Sequence, residues 1–124
     1  MARLRQLVVD SREPSSLARF WSAALDDFEV RDYDDEEIAR LATFGRTPET
    51  DPCVILDGPA LEICFQEIAV STTPTRPMHV DMATSARINE RARLMSLGAS
   101  VVQEFATHTW MRDPEGNDFC LTDR

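Results

Sequence analysis

The feature that most constrains this chain of 124 residues is an order of predicted elements that occurs twice. Each half reads as a strand, a helix and three further strands, and the linker-like segment 71–77 (STTPTRP) separates residues 1–70 from residues 78–124. A half of this kind exposes one apolar sheet face and gains stability by pairing with the other half. The pattern therefore predicts one α+β domain, in which two βαβββ modules form a curved mixed sheet around a cavity.

Hydrophobic periodicity locates the elements of the first half. Behind Pro14, apolar residues recur with the spacing of an amphipathic helix, at Leu17, Phe20, Trp21, Ala24 and Leu25. We expect the two aromatic residues to fill the space between this helix and the sheet. The acidic run 34–37 favours the start of a short helix that continues through Phe44. Strands are predicted at residues 4–9, 28–33, 53–56 and 61–66.

The second half repeats the order and adds a strong turn signal. Strands are predicted at residues 78–82, 101–105, 107–112 and 118–122, and a helix at residues 85–97 with Ile88, Ala92 and Met95 facing inward. Residues 113–117 (DPEGN) combine a proline that fixes φ with residues that tolerate positive φ, so they predict the turn of a β-hairpin. Because side chains alternate along a strand, this hairpin directs Phe119 and Leu121 to the core and Cys120 to the cavity.

Charge and composition exclude several classes of function. The formal net charge of -9 repels phosphate backbones and anionic lipids, so neither nucleic acid nor a membrane is an expected partner. No apolar run approaches the roughly 20 residues of a membrane helix, which favours a cytoplasmic protein. Three cysteines, an odd number set in apolar strands, predict buried free thiols. The sequence lacks the motifs of phosphate loops, serine hydrolases, zinc ribbons and zinc proteases.

Three segments give the sequence a resemblance to a known superfamily. They are LARFW at residues 17–21, MHVDM at residues 78–82 and WMRDPEGNDFCL at residues 110–121. Over nearly its whole length the chain resembles the vicinal oxygen chelate superfamily of glyoxalase I, extradiol dioxygenases and bleomycin-resistance proteins, in particular the glyoxalase-like domains. The resemblance implies the glyoxalase/bleomycin-resistance/dihydroxybiphenyl-dioxygenase fold, a homodimer, and a small-molecule ligand or substrate in the cavity.

The resemblance also implies four inward positions at which metal-using members of the superfamily hold their ion. Three of them fall on Gln6, His79 and Cys120. The fourth falls on one of three residues that share a face of the strand 61–66, with Glu62 preferred over Cys64 and Gln66. Because Gln is a weak donor and Cys favours soft metals, the set is degraded and disfavours an iron-dependent extradiol dioxygenase. No cofactor is certain, and a divalent metal at His79 and Glu62 stays open.

Further polar residues are expected to line the cavity, among them Gln66. Asp81 shares a strand face with His79, so it either orients the imidazole or faces solvent at the rim. His108, Trp110 and Arg112 alternate onto one face of the penultimate strand. There they form either an aromatic wall with a cation or a wet sheet face around one core tryptophan.

Two functions are compatible with these residues. The first is a glyoxalase-like protein that binds a small organic molecule in the cavity between the modules, with lyase or isomerase chemistry at Glu62 and His79. The alternative is a non-catalytic protein that sequesters its ligand, as bleomycin-resistance proteins do with apolar and aromatic walls. A domain kept for oligomer contacts or regulation is a third reading.

Overall fold

A computed structural model describes residues 1, 4–69 and 79–123 of the chain. They belong to two compact units, Met1–Thr72 and Thr73–Arg124, and each unit contains one four-stranded sheet. The predicted linker 71–77 and the first residue of the predicted strand 78–82 lie outside the described residues. No helix among the described residues has the length and apolar character that crossing a bilayer requires.

The first unit contains the four strands and two α-helices predicted for it. Their bounds are β1 Gln6–Ser11, α1 Pro14–Ala24, β2 Glu29–Val30, α2 Asp35–Ala42, β3 Cys53–Asp57 and β4 Glu62–Glu67, and a short 3-10 helix, Pro48–Thr50, precedes β3. The sheet has the order β1-β4-β3-β2, with β1 parallel to β4 and the other pairs antiparallel. The edge strand β2 is shorter than the predicted 28–33, although the amide of Arg31 still donates to the carbonyl oxygen of Ile55 at 2.9 Å.

Helix α1 packs on β3 and β4 and supplies much of the core of the first unit. Pro14 lies in the first turn, where its missing N–H costs no helical hydrogen bond. Leu17, Phe20 and Trp21 are at most 6% exposed, and the two aromatic rings meet edge to face with centroids 5.3 Å apart. The aromatic pair therefore fills the space between helix and sheet, as predicted.

The second unit repeats the order with one helix. Its elements are β5 Val80–Thr84, α3 Arg87–Ser96, β6 Ser100–Glu104, β7 His108–Arg112 and β8 Asp118–Asp123. The sheet has the order β5-β8-β7-β6, with β5 parallel to β8 and the other pairs antiparallel. The predicted hairpin joins β7 to β8, and its turn is held by Asp113, which is 3% exposed and accepts the backbone N–H groups of Glu115 and Asn117 at 2.9 Å. The α+β class and the repeated βαβββ order are confirmed.

The inward face predicted for α3 is wrong. Ile88 is 70% exposed and Met95 is 49% exposed, whereas Leu94, which the prediction left out, is completely buried. Ala92 is exposed as well. The apolar residues that suggested the inward face therefore lie mainly on the outer side of the helix.

Arginine side chains explain why the apolar pattern predicted the wrong inward face for α3. The covered stripe of the helix runs through Arg87 and Arg91 to Leu94, three and four residues apart along one face. Ion pairs hold both arginines, since Arg87 lies 3.3 Å from Asp123 and Arg91 lies 3.0 Å from Glu104. The methylene groups of an arginine can cover apolar surface while its charged end is paired, so charged residues occupy positions that a count of apolar residues leaves out.

Candidate functional site

One face of the second sheet lies away from α3 and carries several polar side chains. Helix α3 packs on β6 and β8, and the residues on the covered face, Met111, Phe119 and Leu121, are at most 1% exposed. The alternate residues of β7 and β8 form what we call the open face of the second sheet: His108, Trp110, Arg112, Asp118, Cys120 and Thr122. The alternation predicted for this strand is confirmed, because Phe119 and Leu121 lie on the covered face and Cys120 on the open face.

The strand register arranges the open-face residues in rows. Asp81 on β5 is directly opposite Cys120 on β8, and Cys120 is directly opposite Trp110 on β7. In the next row on the same face, Asp118 is opposite Arg112. Candidates that sequence reasoning assigned to three separate strands are therefore neighbours on one sheet.

Three of the candidates form a cluster that can hold a metal ion. One donor atom each of His79, Asp81 and Cys120 lies within 4.8 Å of the other two, and His79 Nε2 is 3.2 Å from Asp81 Oδ1. The imidazole and the carboxylate side chains are 55% and 65% exposed, so an ion can reach them from solvent. Imidazole, carboxylate and thiolate are donors that zinc and similar metals accept. The residues fit a divalent metal of the zinc type, with Asp81 as a donor that sequence reasoning treated only as an orienting or rim residue.

The surroundings of Cys120 disfavour the thiolate form of its side chain. Burial raises its pKa above the ordinary value, and the negative charges of Asp81 and Asp118 raise the pKa further. A bound metal ion has the opposite effect, because a coordinating thiol gives up its proton.

Beside the cluster, Asp118 holds Trp110 and Arg112 in place. Its Oδ1 atom accepts one hydrogen bond from Trp110 Nε1 and one from Arg112 Nε, each 3.0 Å long. The guanidinium carbon of Arg112 lies 5.7 Å from the centre of the Trp110 ring. His108, further along β7, stacks on Phe105 with ring centroids 4.5 Å apart. An indole face next to a guanidinium suits a flat ligand that carries negative charge.

The two candidates at the start of the first sheet belong to an ion-pair network. Gln6 and Glu62 are directly opposite each other, and Gln6 Nε2 donates to Glu62 Oε2 at 3.0 Å. Arg31 Nη2 donates to Glu62 Oε1 at 2.8 Å and to Asp57 Oδ1 at 2.6 Å. These hydrogen bonds, that to Asp57 first, raise the pKa of Arg31 and keep a positive charge at the Glu62 carboxylate. A metal ion would compete with this guanidinium, which makes Glu62 a weak metal ligand in this arrangement.

The strand register also identifies which residue of β4 corresponds to Cys120. In both sheets the first strand pairs in parallel with the last. Gln6 is opposite Glu62 in the first sheet, and His79 is level with Asp118 in the second sheet, so Glu62 corresponds to Asp118. Two residues further along, Cys64 corresponds to Cys120. Gln66, the remaining candidate on β4, is exposed. The two-residue period of β4 by itself could not reveal this match, because register depends on pairing between strands far apart in sequence.

A pair of cysteines on β3 and β4 was not foreseen. Cys53 Sγ and Cys64 Sγ are 2.7 Å apart, although Cys53 is exposed and Cys64 is only 4% exposed. Burial and the hydrogen bond with Cys53 raise the pKa of the Cys64 thiol to about 12. The prediction of buried thiols is right for Cys64 and wrong for Cys53, which begins β3 on the face that α1 does not cover. Cys120 is partly exposed.

Next to this pair, Tyr33 and Asp51 make a second contact that no local pattern indicates. Tyr33 Oη donates to Asp51 Oδ2 at 2.6 Å across 18 positions of sequence. The amide of Cys53 donates to Asp51 Oδ1 at 2.9 Å, and Asp51 is 5% exposed. Tyr33, Asp51 and Cys53 line a groove of about 460 Å³ together with Arg31 and Ile55.

A family model and solved structures agree with this architecture. The model of the glyoxalase-like domain matches residues 6–122. A glyoxalase/bleomycin resistance protein/dioxygenase family enzyme from Burkholderia phytofirmans PsJN is 15% identical to the chain, with a TM-score of 0.68 and 98% of each chain covered. A glyoxalase/bleomycin resistance protein from Albidiferax ferrireducens T118 is 16% identical, with a TM-score of 0.58 and 99% of each chain covered.

At these identities the structural likeness shows a common fold and says nothing about ligands. No curated protein matches the chain at a significant level. The family model, in contrast, spans both units and covers every candidate residue from Gln6 to Cys120. The chain therefore belongs to the glyoxalase-like domain family of the vicinal oxygen chelate superfamily.

Proposed function

We propose that this protein binds a small, flat organic anion on the open face of its second sheet, together with a divalent metal ion of the zinc type. The observation that carries the proposal is the row in which the cluster of His79, Asp81 and Cys120 meets Trp110, with Arg112 beside the indole. Neighbouring strands of a sheet are about 4.8 Å apart, so a ligand the size of one ring spans from the cluster on β8 to the indole on β7.

Each group on this face has a distinct part in the proposed binding. The metal supplies a positive charge for an oxygen atom of the ligand. Trp110 is half-buried and offers its ring face, and Arg112, with its side chain 46% exposed, offers a guanidinium to a carboxylate. Asp118 keeps Trp110 and Arg112 in position and offsets part of the arginine charge. An anion that reaches both the metal and Arg112 is therefore favoured over a neutral molecule.

A second candidate is a lyase or isomerase that moves a proton on its ligand. The observation that favours it is the distance of 3.2 Å between His79 Nε2 and Asp81 Oδ1. When Asp81 accepts the proton on Nε2 of a neutral imidazole, Nδ1 has a free lone pair and can take a proton from a ligand. Glu62, the other catalytic candidate from the sequence, stays a prediction. Non-catalytic sequestration is the alternative to this chemistry.

Calorimetric titration of Zn²⁺ into chelator-free protein tests the metal part of the proposal. We expect one ion per chain in the wild type and binding weaker by roughly tenfold or more in His79→Ala and Cys120→Ser, since each variant removes one donor. Glu62→Gln is the matched control, because Arg31 and Gln6 already hold that carboxylate. Equal affinity in all four proteins, or a loss only in Glu62→Gln, would contradict the assignment.

The ligand part is tested by fluorescence in Trp21→Phe protein, in which Trp110 is the one remaining tryptophan of the two. We expect aromatic or keto carboxylates to change its emission, and Arg112→Ala to weaken the response. The absence of any change across a series of such acids would contradict the proposal.

Nuclear magnetic resonance in heavy water distinguishes catalysis from non-catalytic sequestration. A lyase or isomerase exchanges a C–H proton of the bound acid with solvent, whereas a sequestering protein releases the acid unchanged.

A further inference from the structure

Cys53 and Cys64 are placed as cross-strand neighbours on one face of the first sheet. The register of β3 and β4 pairs Cys53 with Gln66 and Ile55 with Cys64, so the two cysteines are diagonal neighbours that point to the same side. Their Sγ atoms are 2.7 Å apart. This separation is longer than the S–S bond of about 2.05 Å but places the two sulfurs in direct contact, so the side chains are within bridging reach of each other.

We propose that Cys53 and Cys64 form a reversible intramolecular disulfide when the protein meets a peroxide. The two thiols have the unequal exposure that such a reaction uses. Cys53 is exposed and can be reached by peroxide, whereas Cys64 is 4% exposed and is shielded from a second oxidant molecule. The amide of Cys53 donates to the buried carboxylate of Asp51 at 2.9 Å, which anchors the backbone that carries the exposed sulfur.

The reaction balances with one molecule of hydrogen peroxide. The thiolate of Cys53 attacks a peroxide oxygen, the O–O bond breaks, and the products are a Cys53 sulfenic acid and hydroxide, which takes up the proton released by the thiol to give water. The sulfur of Cys64 then attacks the sulfur of Cys53. The S–S bond forms, the S–O bond breaks, and the hydroxyl leaves with the Cys64 proton as a second water. The two thiols lose two electrons, the peroxide gains them, and a small dithiol such as dithiothreitol reverses the change.

Mass spectrometry of peroxide-treated protein tests this proposal. Reduced protein is exposed to hydrogen peroxide, the peroxide is removed with catalase, and the remaining thiols are blocked with N-ethylmaleimide in denaturant, which exposes Cys64. We expect the wild type to lose two hydrogen atoms and to take up one blocking group, on Cys120. Cys120→Ser is expected to lose two hydrogen atoms and take up none. Cys53→Ser is expected to keep both remaining thiols and take up two blocking groups. In Cys64→Ser the exposed Cys53 has no second thiol to attack it, so it is expected to gain oxygen as a sulfenic or sulfinic acid, and Cys120 alone takes up a blocking group.

Peptide mapping locates the bond. Asp57 lies between the two cysteines, so cleavage before aspartate separates them into peptides that stay joined until they are reduced. A disulfide that includes Cys120, a Cys53 sulfinic acid beside a blocked Cys64, or no loss of hydrogen in the wild type would each overturn the proposal. Cys53 is exposed, so Cys53→Ser is expected to fold like the wild type and decides the result by itself if Cys64→Ser does not fold.

Discussion

Tyr33 is a half-buried phenol whose hydrogen bond ends on a buried carboxylate, Asp51. Burial raises the pKa of Tyr33 well above its usual range, and the hydrogen bond and the negative charge of Asp51 raise the pKa further. Ionising this phenol would place two negative charges side by side in a site that is partly shielded from solvent. The neutral form of Tyr33 is therefore part of the folded state.

The ionisation of Tyr33 can be followed directly, because it is the only tyrosine. We expect folded protein to show less tyrosinate absorbance than free tyrosine, whose pKa is about 10, at every pH value above 10. Since the folded pKa lies above the unfolded one, the contribution of this group to stability is complete below about pH 10 and is lost as the pH rises through the folded pKa. Asp51→Asn should lower the pKa of Tyr33, and Asp35→Asn, on the exposed side of α2, should leave it unchanged. An ordinary tyrosine titration in folded protein would contradict the contact.

At the scale of elements, α3 is covered along a stripe that contains two paired arginines, with Leu94 as its completely buried apolar residue. Ile88 and Met95, two apolar residues that the sequence predicted to face inward, are exposed to solvent. The stability that α3 gains from apolar packing should therefore depend on Leu94.

Alanine substitutions on the two sides of α3 test this orientation. Leu94→Ala should lower the free energy of unfolding by roughly 2–5 kcal/mol, because it leaves a cavity between the helix and the sheet. Ile88→Ala, the matched surface control, should change it by about 0.5 kcal/mol or less. Urea denaturation measures both values. Equal losses, or a larger loss in Ile88→Ala, would show that the helix is rotated from the orientation described.

The β7–β8 hairpin depends on one buried side chain in its turn. Asp113 accepts the backbone N–H groups of Glu115 and Asn117 at 2.9 Å and the side-chain amide of Asn117 at 2.7 Å. Asp113→Ala should lower the free energy of unfolding by roughly 2–4 kcal/mol, since it leaves several donors without this acceptor. Asp113→Asn keeps one acceptor oxygen and should cost less. Thermal denaturation of the three proteins checks this order, and equal melting temperatures would count against it.

Across the whole molecule, the same order of strands carries two different open faces. By the register described above, Gln6 and Val8 on β1 correspond to His79, directly before β5, and to Asp81 on β5. Both sheets have a cysteine at the corresponding step of the last strand. The second unit therefore has an imidazole and a carboxylate at the two positions where the first unit has an amide and a valine. This difference gives the second unit its donor cluster.

The repeated fold could be predicted from the sequence because helical and strand periods are local properties. The same two-residue period correctly put His108, Trp110 and Arg112 on one face of β7, while the pairing of Trp110 with Cys120 depends on strand register. The Cys53–Cys64 pair and the Tyr33–Asp51 contact could not be predicted, since both depend on how strands and loops distant in sequence come together. The covered stripe of α3 was missed for a different reason, because arginines replace apolar residues along it.

The proposed metal site makes Cys120 a ligand together with His79 and Asp81. Cobalt(II) can take the place of zinc at such donors, and a bound thiolate then gives a charge-transfer band in the near ultraviolet. Absorbance spectra recorded during a Co²⁺ titration therefore report directly on the sulfur. Protein with Cys53→Ser and Cys64→Ser together removes the cysteine pair of the first unit as a competing source of the band.

We expect the charge-transfer band in the wild type and in the Cys53→Ser/Cys64→Ser protein, saturating at one Co²⁺ per chain. It should disappear in Cys120→Ser and weaken in His79→Ala. A wild type without the band, or a band of full strength in Cys120→Ser, would contradict the assignment of a metal site to the second sheet.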